Sequence, residues 1–194
     1  MGVFLNAKDQ KLLDFLARND HFTPFTHCMI TMREKVPLFV ARQRFKHTIG
    51  FSYNEVSRRY VDDFPEFYVP TEWRKKADDR KQGSSEETVD INPNHLMIDD
   101  YLQSINKAKW TYIHLLGMDV CPEQARMVLP QSTYTEYYVT GSLYAWARAY
   151  NLRSESTAQQ EIQDLASQWH DIIVPLFPES WISLTTNLEG GSNE

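Results

Sequence analysis

The sequence predicts one domain of mixed α and β structure, with its long helices in the second half and no βαβ alternation. Two runs of strand character stand far apart, at residues 27–35 and 133–140. Three segments in the second half, 95–116, 142–152 and the stretch from Ser156 to Ile172, carry apolar residues at helical spacing. The length, 194 residues, is one domain's worth of chain and buries a core without staples.

The elements follow in order. Residues 9–17 (DQKLLDFLA) place Leu12, Leu13 and Leu16 on a short helical face that Asn19-Asp20 breaks. In 27–35 (HCMITMREK), Cys28, Ile30 and Met32 fall on one side of a strand and Thr31 and Arg33 on the other. Pro24 is expected inside neither of these two elements. Pro37 suits a helix start, and 37–47 (PLFVARQRFKH) is expected to bury Phe39 and Val40 and turn its basic residues to a cleft or solvent. Residues 48–60 lack a clean period and suit a loop or irregular strand. The polar stretch 61–94 is a surface excursion, long enough to contain short strands or contribute to a binding site.

Residues 95–116 form a long helix through Leu96, Tyr101, Ile105, Trp110, Tyr112 and Leu115, with Gly117 as its stop. Pro122 opens a short helix that Pro130 ends. The β-branched and aromatic run 133–140 is a strand, and 142–152 is a helix through Leu143, Trp146, Ala147 and Tyr150. Ser156 with Gln159 reads as a capping box opening a helix whose face is Ala158, Ile162, Leu165, Trp169 and Ile172. Pro175 and Pro178 end it.

Composition narrows the function. Twenty Lys+Arg against 26 Asp+Glu give a net charge of −6, which argues against a nucleic-acid coat. Two cysteines, Cys28 and Cys121, exclude a disulfide framework and a thiolate zinc cluster. The six histidines have no tight metal-ligand spacing, so no metal is expected. No apolar run spans a bilayer and no signal stretch opens the chain, so no membrane partner is expected. No Walker loop, GxGxxG or GxSxG elbow occurs. Tyr 10, Phe 10 and Trp 5 suit a large core, an interface or planar ligands.

Against the acidic background, Arg42, Arg44, Lys46, His47, Arg58 and Arg59 fall within 18 positions. Such a set binds anions, or is a solvated helix face followed by a charged loop. Arg126 and Arg153 sit at element junctions and read as anion ligands or surface salt bridges.

Residues 42–60 (RQRFKHTIGFSYNEVSRRY) resemble the flavin-dependent thymidylate synthase family. So do 21–27 (HFTPFTH), 126–135 (RMVLPQSTYT) and, together, NLR at 151–153 with AQQEI at 158–162. The four run in order over about residues 21 to 166, roughly three quarters of the chain. The resemblance implies an α+β fold, with long helices and an antiparallel sheet, in a homotetramer whose sites use more than one subunit. It implies methylation of dUMP to dTMP, with 5,10-methylenetetrahydrofolate giving the methylene and NADPH the reducing equivalents through FAD. Tetrahydrofolate leaves. A cytoplasmic setting follows, that of the host if the chain is viral.

Residue roles follow by position. Arg153 is the expected catalytic residue, polarising the uracil and favouring ionisation at N3. Gln43, Arg44, Lys46, Glu55, Val56, Ser57, Arg58, Arg59 and Arg126 join it as the dUMP set, with Ser57 binding and not attacking. His21, Thr23, Lys46, His47, Thr48, Glu55, Ser142 and Arg148 form the FAD set. The chain departs from the family's Arg-His-Arg, which stands seven residues before the serine. Here Lys46-His47-Thr48 precede Ser57 by eight, with one residue inserted between Gln43 and Asn54. Anchoring on Asn54 moves the signature to His47, Thr48 and Ile49. Arg42 and Arg44 are candidate substitutes for the absent arginines, and Ser142 and Arg148 stand where the family often has Asn. Neither Cys28 nor Cys121 has a nucleophile's context. The alternative is a flavin- and nucleotide-binding relative without methyl transfer.

Overall fold

The computed structural model describes residues 5–60, 63–77, 83–89 and 96–186. In chain order the elements are α1 (Ala7–Arg18), β1 (Met29–Pro37), α2 (Leu38–Arg44), β2 (Phe51–Glu55), β3 (Arg74–Lys76), β4 (Ser84–Thr88), α3 (Leu96–Gly117), α4 (Pro122–Ala125), β5 (Tyr134–Ser142), α5 (Leu143–Arg153), α6 (Gln160–Ile173) and α7 (Pro178–Thr185). The class is α+β. An antiparallel sheet of order β1-β5-β2 carries the helices on one face.

Period-two alternation decides which side chains meet that helical layer. Ile30, Met32, Glu34 and Val36 of β1 point inward, with Tyr137 and Val139 of β5. Thr31, Arg33 and Lys35 point outward opposite Thr140, Tyr138 and Glu136. Helix α6 lays Ile162, Leu165, Ala166, Trp169 and Ile173 against the core, the i, i+3, i+4, i+7 stripe of a half-buried helix. Trp146, Trp169 and Trp181 are fully buried, so much of the aromatic surplus is core. No helix among the described residues is long and apolar enough to cross a membrane.

The expected elements form with shifted ends, and two details differ, the opening of α6 and the helix at Pro178. Pro24 lies in neither α1 nor β1, as expected, and takes the second position of a 3-10 turn, Thr23–Thr26. The helix expected from Ser156 begins at Gln160 with Gln159 as N-cap and no side-chain cap bond, so no capping box forms there. Helix α7 begins at Pro178, which opens a helix instead of ending one. Within the polar excursion, β3 and β4 pair antiparallel; the side chain of Leu96 and residues 78–82 and 90–95 lie outside the described set.

Candidate active site

Two groups of chemistry-bearing residues stand on opposite sides of the sheet. The helical-side group grows from a buried ion pair. Glu34 points inward because β1 alternates, and Arg44 occupies the last turn of α2. The Arg44 Nε donates to both Glu34 carboxylate oxygens, at 3.2 and 3.3 Å, with Arg44 wholly buried and Glu34 4% exposed. The guanidinium lies 4.3 Å from the Phe51 ring centroid, 4.7 Å from Trp169 and 4.8 Å from Trp146. Cation–π attraction in so dry a setting offsets part of the desolvation cost. Burial pushes the Glu34 carboxyl up, and Arg44, Tyr137 and Trp169 oppose that. Arg44 is therefore a core residue; the expectation that it contacts dUMP or replaces a signature arginine is corrected, because no face of it is open to a ligand.

Beyond α2 the chain crosses residues 46–50 to β2. Gly50 has φ +77°, and a Cβ there would lie 2.9 Å from Ala145 Cβ, so the loop passes close over the first turn of α5. Lys46, Thr48 and Ile49 are exposed. His47 turns inward, and its Nε2 accepts from Arg153 Nε at 2.8 Å. Arg153 Nη2 donates to the Gln43 carbonyl at 3.4 Å, while Nη1 makes no hydrogen bond among the described residues. The Gln43 amide donates to Gln159 Oε1 at 2.6 Å, tying α2 to the start of α6. Burial first, then the charges of Arg153, Arg44 and Arg148, depresses His47 to about 4. The ring is thus neutral, with its proton on Nδ1. Burial and Arg44 also lower the Arg153 pKa, yet a guanidinium stays charged.

The flavin-facing set spreads around this loop. Phe22 stacks on Tyr144 at 5.2 Å, and Arg148 lies 5.9 Å from the same Tyr144 ring. His21 and Thr23 flank Phe22 and are exposed. Ser142 is 6% exposed, and its Oγ caps α5 by accepting from Ala145 N–H at 3.2 Å. That explains a serine here by helix capping. Lys46 and Arg148 offer unburied cations and Phe22–Tyr144 a planar platform; this donor set fits a ligand with a pyrophosphate and flat rings.

The second group lines a cleft of about 420 Å³ on the outer side of the sheet. It contains Glu55, Val56, Ser57, Arg58 and Arg126 from the expected dUMP set, with Arg33, Lys35, Tyr134, Thr135 and Glu136 from β1 and β5. Most charges here are spent locally. Arg33 pairs with Glu136, Lys35 with Glu66 at 2.7 Å, and Arg58 with Asp63 at 3.1 Å. Thr135 donates to Glu55 at 2.6 Å. The Ser57 hydroxyl accepts from Arg59 Nε at 3.2 Å, and among the described residues no base bonds to it. Arg126 makes no ion pair or side-chain hydrogen bond among the described residues, so it is the uncommitted cation of the cleft. Gln43, Lys46, Arg59 and Arg153 are not in its lining.

Sequence reading missed Arg33, Lys35, Thr135 and Glu136 as cleft residues. The signal was present: they occupy the outward phase of two strands, where charge survives alternation. It missed Glu34 and Tyr53 as supports for the helical-side group.

Comparisons with known proteins bear on the family and the fold. The family described as "Thymidylate synthase complementing protein" matches residues 4–179. A flavin-dependent thymidylate synthase of Thermosipho africanus is 40% identical over 168 residues, 85% of this chain and 72% of that protein. That of Treponema denticola is 34% identical over 194 residues, 99% of this chain and 73% of that protein. Among solved structures, the UMP/dUMP methylase PolB from Streptomyces cacaoi, bound with 5-Br dUMP, superposes with a TM-score of 0.83 at 27% identity. The match covers 95% of this chain and 82% of that one.

Proposed function

This chain belongs to the flavin-dependent thymidylate synthase family, and we propose that it methylates dUMP to dTMP. FAD, NADPH and 5,10-methylenetetrahydrofolate are the cofactor, reductant and methylene donor, and tetrahydrofolate is released. The observation that carries the reading is Arg153: its Nε is fixed on a neutral imidazole while Nη1 keeps its donors. A cation held in this way stabilises negative charge developing on a pyrimidine without reorganising at the moment of reaction.

Arg126 grips the dUMP phosphate, with Glu55, Val56, Ser57, Arg58 and Arg59 around the sugar and base. Gln43, Lys46 and Arg153 serve the base from the helical side. His21, Thr23, Lys46, His47, Thr48, Glu55 and Arg148 hold FAD, with Ser142 acting through the helix it caps. When bound, the flavin supplies the redox chemistry, and the chain binds, orients and excludes water. That Arg153 does not line the cleft of its own chain supports a site that joins the cleft of one copy to the helical-side group of another; the proposed assembly is a homotetramer. The single domain, residues 1–194, works in the cytoplasm, of the host if viral.

The absorbance spectrum of the purified protein tests the reading. It predicts an oxidised-flavin band that bleaches with NADPH and shifts on adding dUMP, together with dTMP once the folate is present. A protein without a flavin band overturns it. The second reading, a relative without methyl transfer, draws on Lys46 and Thr48 in place of arginines. A band that bleaches while no dTMP forms selects that reading. UMP, assayed beside dUMP, tests the ribose preference.

A further inference from the structure

The Arg153–His47 contact is held from below by a chain of hydrogen bonds. Arg44, fixed on Glu34, donates from Nη1 to the Tyr53 hydroxyl at 2.6 Å. That hydroxyl donates to the His47 carbonyl at 2.7 Å, with the Arg44 carbonyl farther away at 3.2 Å. The directions are forced. A guanidinium only donates, so the phenol oxygen accepts from Arg44 and its one proton goes to a carbonyl. Arg153 also only donates, so His47 Nε2 must present a lone pair.

His47 needs such a tether because it lies past the end of α2. Its own backbone N–H reaches only the Arg44 carbonyl, at 3.1 Å, and the loop then turns through Gly50. No regular element sets where its imidazole sits. We infer that Tyr53, locked by the buried Glu34–Arg44 pair, is a positioning residue that sets the placement of Arg153 through His47. The inference rests on the reading of Arg153 as the group that faces the pyrimidine. It gives a purpose to a buried ion pair that hydrophobic residues of similar volume could replace without loss of stability. Tyr53 sits among Phe45, Phe51 and Tyr137 rings, at centroid distances of 5.2 to 6.0 Å. Tyr53→Phe therefore keeps the packing and removes only the hydroxyl. Burial holds that phenol up to about 12, so it remains a donor throughout the working range.

The test is Tyr53→Phe in the FAD-loaded protein, alone and combined with Arg153→Ala. Misplacing a polarising group costs about tenfold or more in kcat. Tyr53→Phe is expected to lose that in dTMP formation while NADPH still reduces the flavin at the wild-type rate. The double variant should turn over no more slowly than Arg153→Ala, because both changes remove one function. Ile173→Val, a core change remote from this chain of bonds, controls for lost stability and should keep its turnover. Histidine ¹⁵N spectra of the unmodified protein should show an unprotonated Nε2 on His47, whose signal moves in Tyr53→Phe; this reading needs no activity.

Wild-type turnover in Tyr53→Phe, additive losses in the double variant, an equal loss in Ile173→Val, or a protonated Nε2 in the unmodified protein each overturns the positioning role. If Arg153→Ala itself turns over normally, the reading of Arg153 fails and takes the inference with it. The two failures are thereby distinguished.

Discussion

The outer cleft and the helical-side group hold their cations in opposite ways. In the cleft, Arg33, Lys35 and Arg58 pair with carboxylates at the surface, where Arg33 keeps 62% of its side-chain area in water. Solvent screens such pairs, and each contributes little to stability. On the helical side, Arg44 is sealed among four aromatic rings with a buried carboxylate, and Arg153 rests on a neutral histidine. There, each group depends on its neighbours for both charge and position. The difference fits the two tasks proposed above: the cleft to capture an anion with the spare charge of Arg126, and the helical side to present a cation in a set place. Changes in the cleft should therefore act on affinity, and changes on the helical side on turnover and stability.

The largest effect is expected where the helical side is least forgiving. Glu34→Ala leaves the Arg44 charge buried and uncompensated, a loss of about 3–5 kcal/mol of folding stability. Denaturant unfolding measures it, and a loss below 1 kcal/mol would dissolve the contrast with the surface pairs. Arg153→Ala should lower dTMP turnover by about 100-fold or more, the cost of removing one preorganised donor, while FAD content stays at the wild-type level. Turnover near wild type would remove Arg153 from the chemistry. In the cleft, Arg126→Ala should raise the KM for dUMP by about tenfold and change kcat little, the mark of lost uniform binding. A fall in kcat at unchanged KM would place Arg126 on the other side of the comparison.

The smallest effect concerns pH. His47 is held at about 4 in the fold against an ordinary 6.5. Its folded value is depressed, so an unfolded chain takes up the proton first as pH falls. The contribution is fully present above about 6.5 and is lost progressively as pH falls toward 4. Melting temperatures across that window should fall less steeply for His47→Gln than for the wild type. Parallel slopes would show that the imidazole is not held neutral.

The sequence carried the fold better than the site, for physical reasons visible in single residues. Period and punctuation placed β1, β5, α3 and α5 because those patterns report which face is buried. The alternation Ile30, Met32, Glu34, Val36 also put a carboxylate inside, a sign that a cation must be buried nearby. That cation, Arg44, looked like part of a solvated basic face because helical spacing alone does not distinguish a charged core residue from an exposed one. Family resemblance placed Arg153, His47 and Gln43 by position; their mutual contacts join α5 to α2 and the loop after it, segments distant in sequence. The separation of Arg153 from Arg126 is a property of the folded chain that no local pattern encodes.

That separation bears directly on the proposed shared site: the proposed chemistry needs both arginines, and Arg153 does not line the cleft of its own chain. Coexpression of Arg153→Ala with Arg126→Glu tests it. If each site takes Arg126 from one copy and Arg153 from another, random pairing of the two chains restores roughly a quarter of the sites, and at dUMP well below the KM of the Arg126→Glu protein dTMP formation returns to about that fraction of the wild-type rate. A mixture no more active than either variant alone would contradict a site shared between copies.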